Sequence, residues 1–148
     1  MIHIVKCPVC GSDVETYRNP FPTVDIVVIR DRKILLIERK NPPAGWALAG
    51  GFIDYGETAE SAAVRELQEE TGLIASRIEL LGVYSDPGRD PRFHTLSVVY
   101  LAQTEGIAQA GDDAARAEWF SLDRLPAQIA FDHRRIISDA FDSLNRSA

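Results

Sequence analysis

GFIDYGETAESAAVRELQEETGL, residues 51–73, is the stretch that decides the fold. Glu66, Glu69 and Glu70 fall three and four residues apart in a segment that otherwise reads as a short helix. At about 100° per residue they share one arc of that helix, roughly 100° wide. Like charges at this spacing repel. A hard divalent cation with oxygen ligands is the natural offset. Thr58 reads as the N-cap, with Glu57 and Glu60 near the positive end of the helix dipole. Gly72 is a C-terminal stop, and Leu73 supplies the apolar contact that follows one. Ala63, Val64 and Leu67 lie on a different arc and are expected to pack on a core. Ala62 falls on the carboxylate side and leaves room for a ligand. Arg65 stands one turn before Glu69 and can pair with it. Gly50 and Gly51 end the apolar stretch 46–49, where backbone can approach a ligand closely.

The same residues resemble the signature of the Nudix hydrolases. Gly51, Glu57, Arg65, Glu66, Leu67, Glu69, Glu70, Gly72 and Leu73 fill each of its fixed positions. A solvated acidic helix face explains the charges but not the glycines, the arginine and the spacing together. The resemblance implies an α/β fold, an α/β/α sandwich with a mixed sheet, for residues 23–148. Residues 1–22 form a separate N-terminal segment. One departure is visible: Ala49 stands where the family usually has proline before the glycine pair.

The chain has 148 residues, 45% of them apolar and 26% charged, enough for one domain with a real core. Its formal charge of −6 argues against general nucleic-acid binding, which needs a basic footprint. A small anionic substrate stays compatible when a cation bridges the two negative partners. No apolar run reaches membrane-span length and no signal peptide is visible, so a cytoplasmic protein without a membrane partner is expected.

Outward from the helix, 24–29 is an apolar run broken only by Asp25 and reads as a buried strand. A turn at Asp31-Arg32 leads into a second strand, 33–38. Residues 41–45 form a Pro/Gly loop. Longer strands are expected at 78–84 and 95–102, with the polar loop 85–92 between them. A second loop covers 103–113, a short strand 117–120 and a helical turn 121–125. Asp132 is expected to cap a last helix ending near Leu144, with His133 as a helix-start group. Strands with one helix in the middle and one at the end suggest a mixed sheet between helices.

What the resemblance implies for chemistry is specific. Glu66, Glu69 and Glu70 are metal ligands for Mg²⁺ or Mn²⁺, with the Gly50 carbonyl added, and Glu57 and Arg65 orient the helix that carries them. The reaction is hydrolysis of a nucleoside diphosphate linked to another group. The general base is open between Glu66 and Glu69 in the helix and Glu105, Asp112 and Asp113 in a distant loop.

The substrate rests on another segment. Arg89 and Arg92 suit phosphates, Asp86 and Asp90 suit ribose hydroxyls, and Phe93 and His94 follow them. This stretch, with Pro87 about fifteen residues after the helix motif, resembles the small bacterial and archaeal ADP-ribose pyrophosphatases. The segments 113–120 and 130–133 fit the same branch. The resemblance implies hydrolysis of ADP-ribose to AMP and ribose 5-phosphate. Alternatives are NADH or another nucleotide sugar, an 8-oxo-nucleoside triphosphate, or an ADP-ribose sensor that does not hydrolyse it. Trp46, Phe52, Tyr55 and Phe93 can each stack on adenine or pack the core.

Cys7-Pro8-Val9-Cys10-Gly11 looks like half of a zinc knuckle. The chain has no second cysteine pair, and His3 is the one nearby imidazole. Two chains sharing one zinc, a remnant knuckle, free thiols and a disulfide are the open readings. A related branch, the NADH pyrophosphatases, carries a complete four-cysteine zinc site. A homodimer is expected by analogy.

Overall fold

The computed structural model describes residues 1–111 and 113–147. Its elements run β1 (Ile2–Lys6), β2 (Asp13–Tyr17), β3 (Phe21–Arg30), β4 (Lys33–Arg39), β5 (Trp46–Ala47), β6 (Ala49–Phe52), α1 (Ala59–Thr71), β7 (Ile74–Tyr84), β8 (Thr95–Glu105), β9 (Ala114–Ser121) and α2 (His133–Ser147). A 3-10 turn, Leu122–Arg124, sits between the last two, where a helical turn is expected.

β3 organises the molecule. It runs parallel to β8 and antiparallel to β4 and β6, while β8 pairs antiparallel with β7 and β4 with β5 and β9. The sheet is therefore mixed, as expected. Successive side chains of a strand point to opposite faces. Val24, Ile26 and Val28 accordingly join Ala62, Ala63 and Leu67 of α1 in one core. Val27, from the other face, joins Ile136, Ile137 and Ala140 of α2 in a second. Each fully buried aliphatic side chain contributes about 1.5–3 kcal/mol, so a strand buried on both faces is the strongest anchor available. Asp31 and Arg32 take φ of 51° and 61°, the left-handed pair that a two-residue hairpin turn requires.

α1 is bounded as its sequence predicts. The Thr58 side chain accepts from Ser61 N, and Gly72 closes the helix at φ 69°. Its packing face differs from the expected one. Val64 is 37% exposed, whereas Ala62 is fully buried in the core and offers a ligand no room. The helix meets the sheet through Ala62, Ala63, Leu67, Glu70 and Thr71. This rotation turns Glu70 inward. Asp132 also departs from its expected use: its carboxylate binds Arg89. No helix among the described residues is long and apolar enough to cross a membrane.

Candidate active site

A cavity of about 320 Å³ opens where the carboxyl half of α1 faces β3 and β6. That is the size of a small-molecule site. Gly50, Gly51 and Phe52 of β6, Glu66 and Glu70 of α1, and Arg89, Asp90 and Arg92 of the loop after β7 all line it.

Glu70 is buried, and its Oε2 accepts a hydrogen bond from Gly50 N at 2.9 Å. Burial pushes its carboxyl up to about 8; the Gly50 N–H opposes this and the nearby Glu66 charge adds to it. Burial also raises Glu66, against the pull of Arg65. A Cβ on Gly51 would collide with the Glu66 carboxylate, so glycine here leaves that carboxylate its place beside β6. Two carboxylates held beside each other in a poorly solvated wall fit a hard cation, whose charge favours their ionised form. Glu69 is more open, at 44% side-chain exposure. Among the described residues no three His, Cys, Asp or Glu side chains form a ready cage. A hard divalent cation that keeps waters of its own suits such a site without an all-protein cage.

Arg65 holds this arrangement. Its Nε donates to Glu57 Oε1 at 2.8 Å and one terminal nitrogen to Glu57 Oε2 at 2.9 Å and to the Phe52 carbonyl at 3.0 Å. The other reaches Glu66 at 2.7 Å and Glu69 at 3.2 Å. The expected Arg65–Glu69 pair is thus longer than its bonds to Glu57 and Glu66, and only the Asp54 carboxylate, at 3.9 Å, stands farther off. The Arg65 hydrogen bonds and the Asp54 N–H hold the Glu57 carboxyl down at about 2. A lysine cannot reproduce this planar fork. Arg65→Lys is expected to weaken metal-dependent activity about 10–100-fold, the usual cost of losing a group that orients metal ligands. A metal titration of initial rates measures it, and an unchanged half-saturating concentration and kcat would contradict the role.

The loop 85–94 divides its residues between turn-building and the cavity. Arg89 is only 4% exposed, with all three guanidinium nitrogens engaged: with Asp132 at 2.8 and 3.1 Å, Thr95 at 2.8 Å and Asp25 at 3.3 Å. Asp90 is buried and binds Arg92 through its backbone N–H and its side chain, at 2.8–3.0 Å. Arg92 itself reaches the cavity, stacked near Phe93 and Phe131 at 4.9 and 5.5 Å. Asp86 lies outside the cavity and accepts from Gly88 N at 2.8 Å. The Phe93 ring packs on Phe21 and Phe52, and His94 Nε2 hydrogen-bonds with the Ser85 carbonyl at 2.9 Å.

A glycine-flanked carboxylate helix set against a mixed sheet is matched by the model of the NUDIX domain, over residues 19–140. The chain belongs to the Nudix family. It is 51% identical over 133 residues to a protein of Methanocaldococcus jannaschii named ADP-ribose pyrophosphatase, covering 86% of this chain and 78% of that one. Its fold is similar to that of a MutT/nudix family protein from Enterococcus faecalis, with TM-score 0.81 and 35% identity over 91% of this chain and 66% of the other. It is also similar to the NUDIX domain of Shewanella oneidensis NrtR, solved in complex with ADP ribose. There the TM-score is 0.79 and the identity 32%, over 86% of this chain and 90% of that one.

Around the Nudix helix the structure adds residues that the sequence reading did not assign to the site. Asp25, the single acid in the apolar run of β3, lines the cavity and bonds His133, Ser97 and Arg89. Burial works to raise its carboxyl, yet these partners hold it below the usual range. His133 Nδ1 accepts from Leu48 N at 3.0 Å, which leaves the Nε2 proton to face Asp25 at 3.2 Å. Phe131, at φ 58°, stands in the cavity wall with Arg39 over its ring at 4.8 Å. A bulky residue in that backbone region is strained, a feature that clusters at ligand sites.

The loop after β8 closes onto the end of the Nudix helix. Gln109 N donates to the Thr71 carbonyl and Gly111 N to that of Glu70, at 2.8 and 3.1 Å, satisfying two orphan carbonyls. This brings Asp113 to the cavity, within 3.5 Å of Asn41. Glu105 is exposed at the strand end opposite Ile74. Asp112 lies outside the described residues.

Proposed function

We propose that the protein hydrolyses ADP-ribose to AMP and ribose 5-phosphate with Mg²⁺ or Mn²⁺. The observation that carries the reading is that Glu66, Glu70 and Arg92 line one cavity. The metal, when bound, neutralises the diphosphate and lowers the pKa of an attacking water. Glu66, Glu69 and Glu70 are the carboxylates we assign to it, with Gly50 beside them. Arg65 and Glu57 fix their orientation. Arg92 offers charge-assisted hydrogen bonds to phosphate oxygens. Arg89 and Asp90 act one step behind it, by holding the loop. Phe52 and Phe131 give the nucleobase two aromatic surfaces beside the cavity. Asp113 is the base candidate that the loop delivers to the cavity, beside Glu66 in the helix.

The 51% identical relative supports ADP-ribose as the substrate, and the NrtR domain supports the same ligand. The full set of helix carboxylates favours hydrolysis over binding alone. The acidic surface favours a small nucleotide over nucleic acid. We carry residues 23–148 as the catalytic unit and residues 1–22 as a separate segment, since the hairpin of β1 and β2 ends at Tyr17. The two free cysteines suit a reducing cytoplasm, and the exposed hairpin suits a homodimer.

A panel of ADP-ribose, NADH, a diadenosine polyphosphate and 8-oxo-dGTP tests the substrate. ADP-ribose should show the highest kcat/KM. Faster turnover of NADH or 8-oxo-dGTP would move the protein to another Nudix substrate class.

A further inference from the structure

The amino-terminal hairpin carries chemistry that the cavity does not use. β1 and β2 form their own two-stranded sheet, paired from Ile2 opposite Tyr17 to Lys6 opposite Asp13. The connection between them is a tight knuckle. Cys7 N donates to the Ser12 carbonyl and Gly11 N to the Cys7 carbonyl, both at 2.9 Å. Gly11 takes φ +73°, the conformation that lets the chain turn back. Cys10 Sγ lies 3.2 Å from Ser12 Oγ. Both cysteines are free.

Two thiols separated by two residues are half of a tetrahedral structural zinc site, which takes four ligands. The chain contains no other cysteine. His3 is the nearest candidate in sequence, but it pairs with Thr16, four residues down β1 from Cys7. At about 3.3 Å per residue that places it roughly 13 Å from the tip. Among the described residues no third ligand completes a set of three. The hairpin also lacks cover: Ile2, Ile4, Val14 and Tyr17 are exposed, Tyr17 at 74%. A lone two-stranded hairpin is marginal in water, and small units of this kind are stapled by metal or by oligomerisation.

We infer that two copies of this chain share one zinc ion through Cys7 and Cys10 of each, and that their hairpins pack together around it. A second copy supplies both missing ligands and covers the apolar strands. Four thiols release their protons to solvent as four zinc–sulfur bonds form, without oxidation or reduction. The inference stands apart from the substrate assignment, because none of these residues lines the cavity.

The test compares the reduced protein with the Cys7→Ser/Cys10→Ser variant, each incubated with zinc chloride and desalted. Zinc is measured by atomic emission and mass by light scattering. Zinc retained by the variant belongs to the carboxylate site and is subtracted. The expected difference is about one zinc per two chains. The native protein should be a dimer that a chelator converts to monomer, and the variant a monomer. Cobalt(II) in place of zinc should give the absorption of a tetrahedral thiolate site in the native protein alone. No zinc difference, one zinc per monomeric chain, a Cys7–Cys10 disulfide, or a dimer that survives chelation would each overturn the inference. The variant should keep its Mg²⁺-dependent hydrolysis, which serves as the control that it folds.

Discussion

Glu70→Gln is expected to lower kcat roughly 10²–10³-fold at saturating Mg²⁺ while leaving the fold at least as stable. The two effects separate because the side chain does two jobs. As an anion it holds charge beside the cation, and charge stabilisation by a bound metal is worth several kcal/mol, with about tenfold in rate for each 1.4. As a buried group it makes a hydrogen bond to Gly50 N that a glutamine carbonyl accepts equally well. The glutamine also removes a buried negative charge. The sign of the pH effect follows from the raised pKa. The folded carboxyl titrates at about 8, above its ordinary value. Stability is therefore fully present below the ordinary pKa and is lost as pH rises through about 8, by on the order of a few kcal/mol. The variant does not titrate. In chelator, the melting temperature of the native protein should fall relative to the variant between pH 5 and 9, by this linkage alone. Full activity in the variant would remove Glu70 from the metal site. A much less stable metal-free variant would show that the buried carboxyl is not a liability.

Asp25→Ala carries the largest expected cost in stability. Asp25 sits on the α2 face of β3 and accepts from Ser97 Oγ at 2.5 Å, from Arg89 at 3.3 Å and from His133 Nε2 at 3.2 Å. Removing it leaves the His133 proton without its partner and a buried guanidinium with fewer anions. Breaking a buried pair from one side costs about 3–5 kcal/mol. For a chain of this length that is a loss of roughly 6–20 °C in melting temperature. Asp25→Asn keeps the size and one acceptor and should cost less. Asp86→Ala, in the exposed turn, should change stability by about 0.5 kcal/mol or less. Equal melting temperatures for Asp25→Ala and Asp86→Ala would contradict the buried network.

These contrasts show what the sequence makes legible. α1 was readable because its signals are local: Thr58 caps it, Gly72 stops it, and the carboxylates recur at helical spacing. The buried apolar run of β3 was readable for the same reason. The exact rotation of α1 was not. Ala62 and Val64 lie on either side of Ala63, and which of them meets the sheet depends on β3 and β6, not on the helix. β9 runs three residues longer at its start than its apolar content suggests, because β4 pairs with it from Lys33 to Arg39. The loop 85–94 is the plainest case. Its arginines and aspartates look alike in sequence, yet Arg89 is drawn inward by Asp132, forty-three residues away, and Arg92 is left at the cavity. A lone aspartate in an apolar strand was the one signal that pointed to the buried network. Phe131 carried only the resemblance of segment 130–133, since its placement follows from a left-handed backbone just before α2.

The most direct measurement is a single reaction. The protein is incubated with ADP-ribose in Mg²⁺ and in excess chelator, and the products are separated. AMP and ribose 5-phosphate in equal amounts, formed with Mg²⁺ and abolished by the chelator, are the predicted result. Absence of hydrolysis of ADP-ribose, and of every other diphosphate-linked nucleotide, in both Mg²⁺ and Mn²⁺ would contradict it.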